Sequence, residues 1–137
     1  MRTSKSILVS SLGLLMVLAL ACKFSASTAN ISSLKIGKDK AVTTEASIFA
    51  PSDTVYAVAT ISNAPGKVKV KGRLVIEDAP TEKGPENTID LPGSGTATFT
   101  FTPPASGFPP GKYKIEVTLM DEAGEQKDQK SASFTVS

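Results

Sequence analysis

The chain contains no histidine, no tryptophan and only one cysteine, Cys22. The missing histidine excludes Ser-His-Asp and Cys-His catalysis and removes the commonest transition-metal ligand. A lone cysteine closes no internal disulfide, so the fold must hold by burial and strand pairing. Beyond Ile31 there is also no helical 3.6-residue periodicity of useful length. A charge excess is lacking as well. The whole chain has 15 Lys/Arg against 13 Asp/Glu, but Arg2 and Lys5 belong to the N-terminal segment, which leaves thirteen of each sign beyond residue 21. A nucleic-acid binder normally keeps a marked positive surplus, so nucleic acid is not an expected partner.

What is present begins at the N-terminus. Arg2 and Lys5 precede an apolar run from Ile7 to Ala21, which is long enough for a secretory signal and short of the roughly 20 residues that span a bilayer. The run ends in Leu18-Ala19-Leu20-Ala21-Cys22. This ending resembles the lipobox of bacterial lipoproteins, although Ala19 stands where that motif most often has Leu. The resemblance implies cleavage before Cys22, a diacylglyceryl group on its thiol, and anchoring in the bacterial cell envelope. Lys23 rather than Asp after the cysteine favours the outer membrane if the cell is Gram-negative. Two other readings stand beside it: a soluble secreted protein cut at Ala21 or Ala26, and an uncleaved anchor helix. Lipidation would occupy the only thiol, leaving none for nucleophilic or metal chemistry.

Residues 22–30 read as a small, polar tether, and residues 31–137 as one domain without an internal repeat. Period-two alternation dominates that domain. Leu34 and Ile36 mark a first short strand, and residues 46–50 a second that Pro51 stops. Residues 54–62 place Val55, Ala57, Ala59 and Ile61 on one face. Residues 67–77 set Val68, Val70, Leu74 and Ile76 against Lys67, Lys69, Lys71 and Arg73. Residues 78–95 read as a long polar connection with room for one strand near 88–91. Thr96 to Thr102 turns Ala97, Phe99 and Phe101 inward. Tyr113, Ile115, Val117 and Leu119 share a face, residues 121–126 form a hairpin turn, and residues 131–136 bury Ala132, Phe134 and Val136. The spacing predicts an all-β fold, a single antiparallel sandwich of about seven strands.

The stretch Pro109-Pro110-Gly111-Lys112-Tyr113-Lys114-Ile115-Glu116-Val117 resembles the penultimate strand of immunoglobulin-like and fibronectin-III-like domains. The resemblance implies that Tyr113 is a tyrosine corner, its hydroxyl bonding back to the preceding turn. Ile115 stands where antibody domains carry a cysteine, and the usual core tryptophan is absent, so the implied domain is a disulfide-free variety.

Several clusters invite a chemical reading. Lys67, Lys69, Lys71 and Arg73 form a basic stripe suited to lipid phosphates or an acidic partner, or else a solvated face or an edge guard. Asp121, Glu122, Glu125 and Asp128 crowd the last hairpin, but their spacing matches no calcium-loop template and Lys127 and Lys130 interleave, which suits a solvated turn. Asp78, Glu82, Glu86 and Asp90 lie on the 78–95 connection, either a ligand-contacting loop or a plain polar one. Gly84-Pro85 and Gly93-Ser94-Gly95 lack the strand-to-helix setting of a phosphate cradle. Thr96, Thr98, Thr100 and Thr102 face outward, and Tyr56 and Phe108 are aromatic contact candidates that also suit a core. No catalytic residue, metal site or cofactor is expected. The expected function is a lipid-anchored, non-catalytic binding or scaffolding module with an envelope protein or polysaccharide as partner. The alternative is a structural or accessory lipoprotein that lays its basic strand face on an anionic surface.

Overall fold

The computed structural model describes residues 28–79 and 84–137. The expected signal segment 1–21, Cys22 and residues 23–27 lie outside the described residues, as do residues 80–83 of the long connection. Eight strands follow in order: β1 (Asn30–Gly37), β2 (Ile48–Phe49), β3 (Val55–Ser62), β4 (Val68–Ile76), β5 (Glu86–Leu91), β6 (Gly95–Phe101), β7 (Gly111–Asp121) and β8 (Gln126–Val136). They form a three-stranded sheet, β1-β3-β6, and a five-stranded sheet, β2-β8-β7-β4-β5. The fold is an all-β sandwich.

The alternation seen in the sequence is what divides core from solvent. Val55, Ala57, Ala59 and Ile61 of β3, with Ala97, Phe99 and Phe101 of β6, form the inner face of one sheet. Val68, Val70 and Leu74 of β4, Tyr113, Ile115, Val117 and Leu119 of β7, and Phe134 and Val136 of β8 form the other. The inner position between Val70 and Leu74 is Gly72, because the Phe99 ring of the opposite sheet fills that space. A Cβ built on Gly72 would stand 2.7 Å from a ring carbon of Phe99.

Three features depart from the sequence expectation. The sandwich is not wholly antiparallel, since β2 runs parallel to β8, pairing Ile48 with Thr135 and Phe49 with Val136. This short strand drops Phe49 fully into the core against Phe134, ring centroids 5.1 Å apart. The domain also starts earlier than residue 31, because Ala29 is buried and Asn30 already pairs with Ser62. Finally, β5 begins at Glu86 and β8 at Gln126, so the connection after β4 is shorter and the last hairpin longer than alternation alone suggests.

Strand order places the ends of the molecule. The chain enters beside the β3–β4 turn, the β5–β6 turn and the β7–β8 hairpin, all at one end of the sandwich. The entry is held there by Asp128, whose carboxylate accepts the Ile31 N–H at 2.8 Å.

Candidate functional site

β4 lies between β5 and β7, so the basic stripe rides on an interior strand and guards no edge. Lys69, Lys71 and Arg73 share its outer face, whereas Lys67 precedes the strand, at the loop end. Antiparallel pairing sets acidic side chains directly across from them. Arg73 stands opposite Glu86 on β5 and Glu116 on β7, and Lys69 opposite Asp90. The Arg73 guanidinium donates to Glu116 at 2.7 Å, Lys114 approaches the same carboxylate at 3.3 Å, and Lys71 approaches Glu86 at 3.8 Å. The Arg73 hydrogen bond, with Lys114 adding to it, holds the Glu116 carboxyl below its ordinary range despite partial burial. The expected basic stripe is therefore part of a mixed-charge face. Lys112 and Lys114 of β7 add to it, and sequence reading missed them because the pairing that aligns them with β4 is long-range.

At the loop end, Lys67, Val68 and Glu122 line two adjacent shallow depressions. One, of about 490 Å³, is walled by Lys69, Asp90, Leu91, Pro92 and Glu122. The other, of about 300 Å³, is walled by Ala29, Pro65, Gly66, Asp121, Ala123 and Lys127. Asp121 is a wall of this site and also its turn lock. Its Oδ1 accepts the Glu125 N–H at 2.9 Å, and that bond lowers its pKa, with Lys127 at 3.5 Å contributing. Gly124, at φ +85°, closes the hairpin. The Asp121, Glu122, Glu125 and Asp128 cluster is thus a braced turn carrying Lys127, with Asp128 turned to the chain entry.

Other acidic groups serve local structure in the same way. Asp39 accepts from the Thr43 N–H and hydroxyl, both at 3.1 Å, and Asp53 accepts the Ala50 N–H at 2.8 Å while pairing with Lys38. Backbone donors are the main cause that lowers the pKa of both. A catalytic acid needs the opposite shift, a carboxyl pushed upward by burial or a like charge.

Tyr113 points into the core. Its hydroxyl donates to the Pro109 carbonyl at 2.5 Å, and its ring stacks on Phe134 with centroids 5.3 Å apart. Burial pushes the phenol above its ordinary 10.0. Phe108 is a core residue and Tyr56 is half-buried on the outer face of β3, so neither is a freely exposed aromatic. Thr96, Thr98 and Thr100 point outward from β6, two exposed and Thr98 half-buried; Thr102 lies beyond the strand. Beneath the corner, Leu74, Ile76, Pro85, Pro104, Phe108 and Tyr113 line an apolar hollow of about 320 Å³.

Among the described residues, no group of three or more Cys, Asp or Glu side chains converges to hold a metal ion. No described helix is long and apolar enough to cross a membrane.

No protein-family model matches the chain, and no curated protein sequence matches it. Distant likeness to solved structures is found. A family 76 glycoside hydrolase from a bovine Bacteroides thetaiotaomicron strain is 15% identical, with a TM-score of 0.48 over 77% of this chain and 20% of that one. The soluble domain of PmoD from a Methylocystis species is 16% identical, with a TM-score of 0.45 over 76% of this chain and 89% of that one. Likeness this distant does not transfer an activity.

Proposed function

We propose that the protein is a lipid-anchored module of the bacterial cell envelope that works by binding or scaffolding, without catalysis. The observation that carries this reading is the run Leu18-Ala19-Leu20-Ala21-Cys22, separated by six residues from Ala29, which is already buried in the sandwich. Residues 23–28 extend at most ~21 Å, so an acylated Cys22 would hold the domain against the bilayer. Two acyl chains supply durable anchoring, since each buried methylene contributes ~0.8 kcal/mol.

The non-catalytic half of the proposal is supported by the commitments of the carboxylates. Asp39, Asp53 and Asp121 are turn locks with lowered pKa values, and Glu116 is held by Arg73. These groups organise the surface and are poorly poised as acids. The second reading, attachment through the basic face of β4, draws less support, because Lys71 and Arg73 are paired with Glu86 and Glu116 on that face.

Detergent phase partition of the protein expressed in a bacterial host tests the anchor. The native chain should enter the detergent phase, and its processed N-terminal peptide should carry acyl mass on Cys22. Cys22→Ser should lose the acyl mass and the processing. An N-terminal peptide that starts elsewhere and bears no lipid would overturn the anchor. Chemical crosslinking of the anchored chain in its own envelope then tests the binding role, and recovery of the chain free of envelope protein and polysaccharide would count against it.

A further inference from the structure

We propose that the edge of β6 left unpaired among the described residues is a self-association surface, at which a second copy of this chain pairs antiparallel about Thr98. The described strands leave four sheet edges, and three of them carry a device that discourages pairing. β1 has a bulge between Ile31 and Ser33 and an exposed Lys35. β5 presents Glu86 and Asp90. β2 is two residues long with Pro51 just beyond it, and the length of β8 that it leaves open carries Lys127, Asp128 and Lys130. Bulges, charges, prolines and short strands are the usual means of blocking edge-to-edge pairing. β6, Gly-Thr-Ala-Thr-Phe-Thr-Phe, has none of them within its length, and the nearest proline, Pro103, lies beyond its end. It is seven residues long, keeps an unbroken register with β3, and carries no charge and no proline. In immunoglobulin-type sandwiches with four strands in this sheet, a further strand occupies that side. Here the strand preceding β6, β5, pairs with β4 in the other sheet and leaves the place open.

The sequence of β6 suits its own reversal. Thr98 is the midpoint of Gly95–Phe101, so a two-fold axis through it lets all seven residues pair. Thr98 then faces Thr98 of the second copy, and Thr96 faces Thr100, which are favourable cross-strand pairs on the outer face. Inside, Ala97 faces Phe99 in both directions, small against large. With no charge on the strand, self-pairing sets no like charges opposite each other. The pairing is isologous and closes at two copies, because each copy offers one such edge. A single strand pair buries less than the ~800 Å² per partner of a standard interface, so the dimer should dissociate in the micromolar range or weaker.

Sedimentation of the full chain in density-matched non-ionic detergent tests this. The native chain should show a concentration-dependent monomer–dimer equilibrium. Thr98→Lys and Thr98→Glu each place like charges at the two-fold axis and should weaken the dimer at least ~10-fold, while an equal mixture of the two should restore it. Should position 98 not tolerate charge, the exposed positions give a second pair. Thr96→Lys/Thr100→Lys should be monomeric, and Thr96→Glu/Thr100→Lys should dimerise. A native chain that stays monomeric up to ~1 mM, or charged variants that associate as readily as the native chain, would overturn the proposal.

Discussion

At the scale of single residues, the contact between Gly72 and Phe99 gives the sharpest test of the packing. Glycine inside a strand weakens it, so Gly72→Ala would stabilise β4 if the space above it were open. The Phe99 ring closes that space at 2.7 Å from the added Cβ. Gly72→Ala should therefore destabilise by ~1–3 kcal/mol through overpacking, and Phe99→Ala by ~3–5 kcal/mol through a cavity. Combining Gly72→Ala with Phe99→Leu should cost less than the sum of the two changes, because both act on one volume. Urea unfolding midpoints read all of these, and a stabilising Gly72→Ala would show that the ring does not occupy the space. Tyr113 offers a second test. Tyr113→Phe removes the bond to Pro109 and should cost ~1 kcal/mol. Because burial raises the folded pKa of Tyr113, its contribution is complete below the unfolded value and fades as pH rises through the folded one, above 10. Tyr113→Phe should thus flatten the alkaline loss of stability seen by thermal unfolding.

At the scale of elements, the strands easiest to read in the sequence are those buried on one face along their whole length. β3, β6 and β7 alternate from end to end and were legible from period two alone. β1 was legible only in its second half, at Leu34 and Ile36, because Ile31 and Leu34 both pair inward, with Ile61 and Ala59, across a bulge that shifts the phase by one residue. β5 and the first half of β8 were harder to read for another reason. They pair by backbone at or near an edge and keep most side chains polar, so β5 was legible only near 88–91, where Ile89 and Leu91 meet the core, and the start of β8 was not separated from the turn. The four basic residues were legible as a stripe, but their acidic neighbours on β5 and β7 arise only from register. Glu116 makes that register measurable. Its folded pKa is depressed below 4.5 by Arg73 and Lys114, so its contribution is complete above the unfolded pKa and is lost as pH falls through the folded one. Stability should hold level across neutral pH, where the absence of histidine leaves no ordinary side-chain titration, and decline below about pH 4.5. Glu116→Gln should lower stability at pH 7 by only ~0.2–1 kcal/mol, since the pair is partly solvated, and should make the acid limb shallower. An unchanged acid limb in Glu116→Gln would mean that the pair does not persist in solution.

At the scale of the whole molecule, anchor, edge and charged face constrain one another. Two chains joined antiparallel through β6 carry their chain entries at opposite ends of the pair. The longest strands have eleven residues and span ~36 Å, whereas a tether of six residues reaches ~21 Å. Both anchors would therefore reach one bilayer only if the strands lie along it. The outer face of the five-stranded sheet, if turned to the lipid, presents Lys69, Lys71, Arg73, Lys112 and Lys114 against Glu77, Glu86, Asp90 and Glu116, a surplus of one positive charge. At ~1 kcal/mol for each basic residue near an anionic surface, that surplus orients an anchored domain but does not attach a free one. A chain that begins at Lys23, without the apolar run and the cysteine, should accordingly bind anionic vesicles weakly and release in ~0.5 M salt, where the screening length falls to a few ångströms. Glu86→Lys changes the face by two charges and frees Lys71 from its partner. It should strengthen vesicle binding by up to ~30-fold at low salt and leave neutral vesicles unaffected. Equal binding of that chain with and without Glu86→Lys at low salt would place this face away from the lipid, and on the proposed anchoring the molecule would then meet a membrane through Cys22 alone.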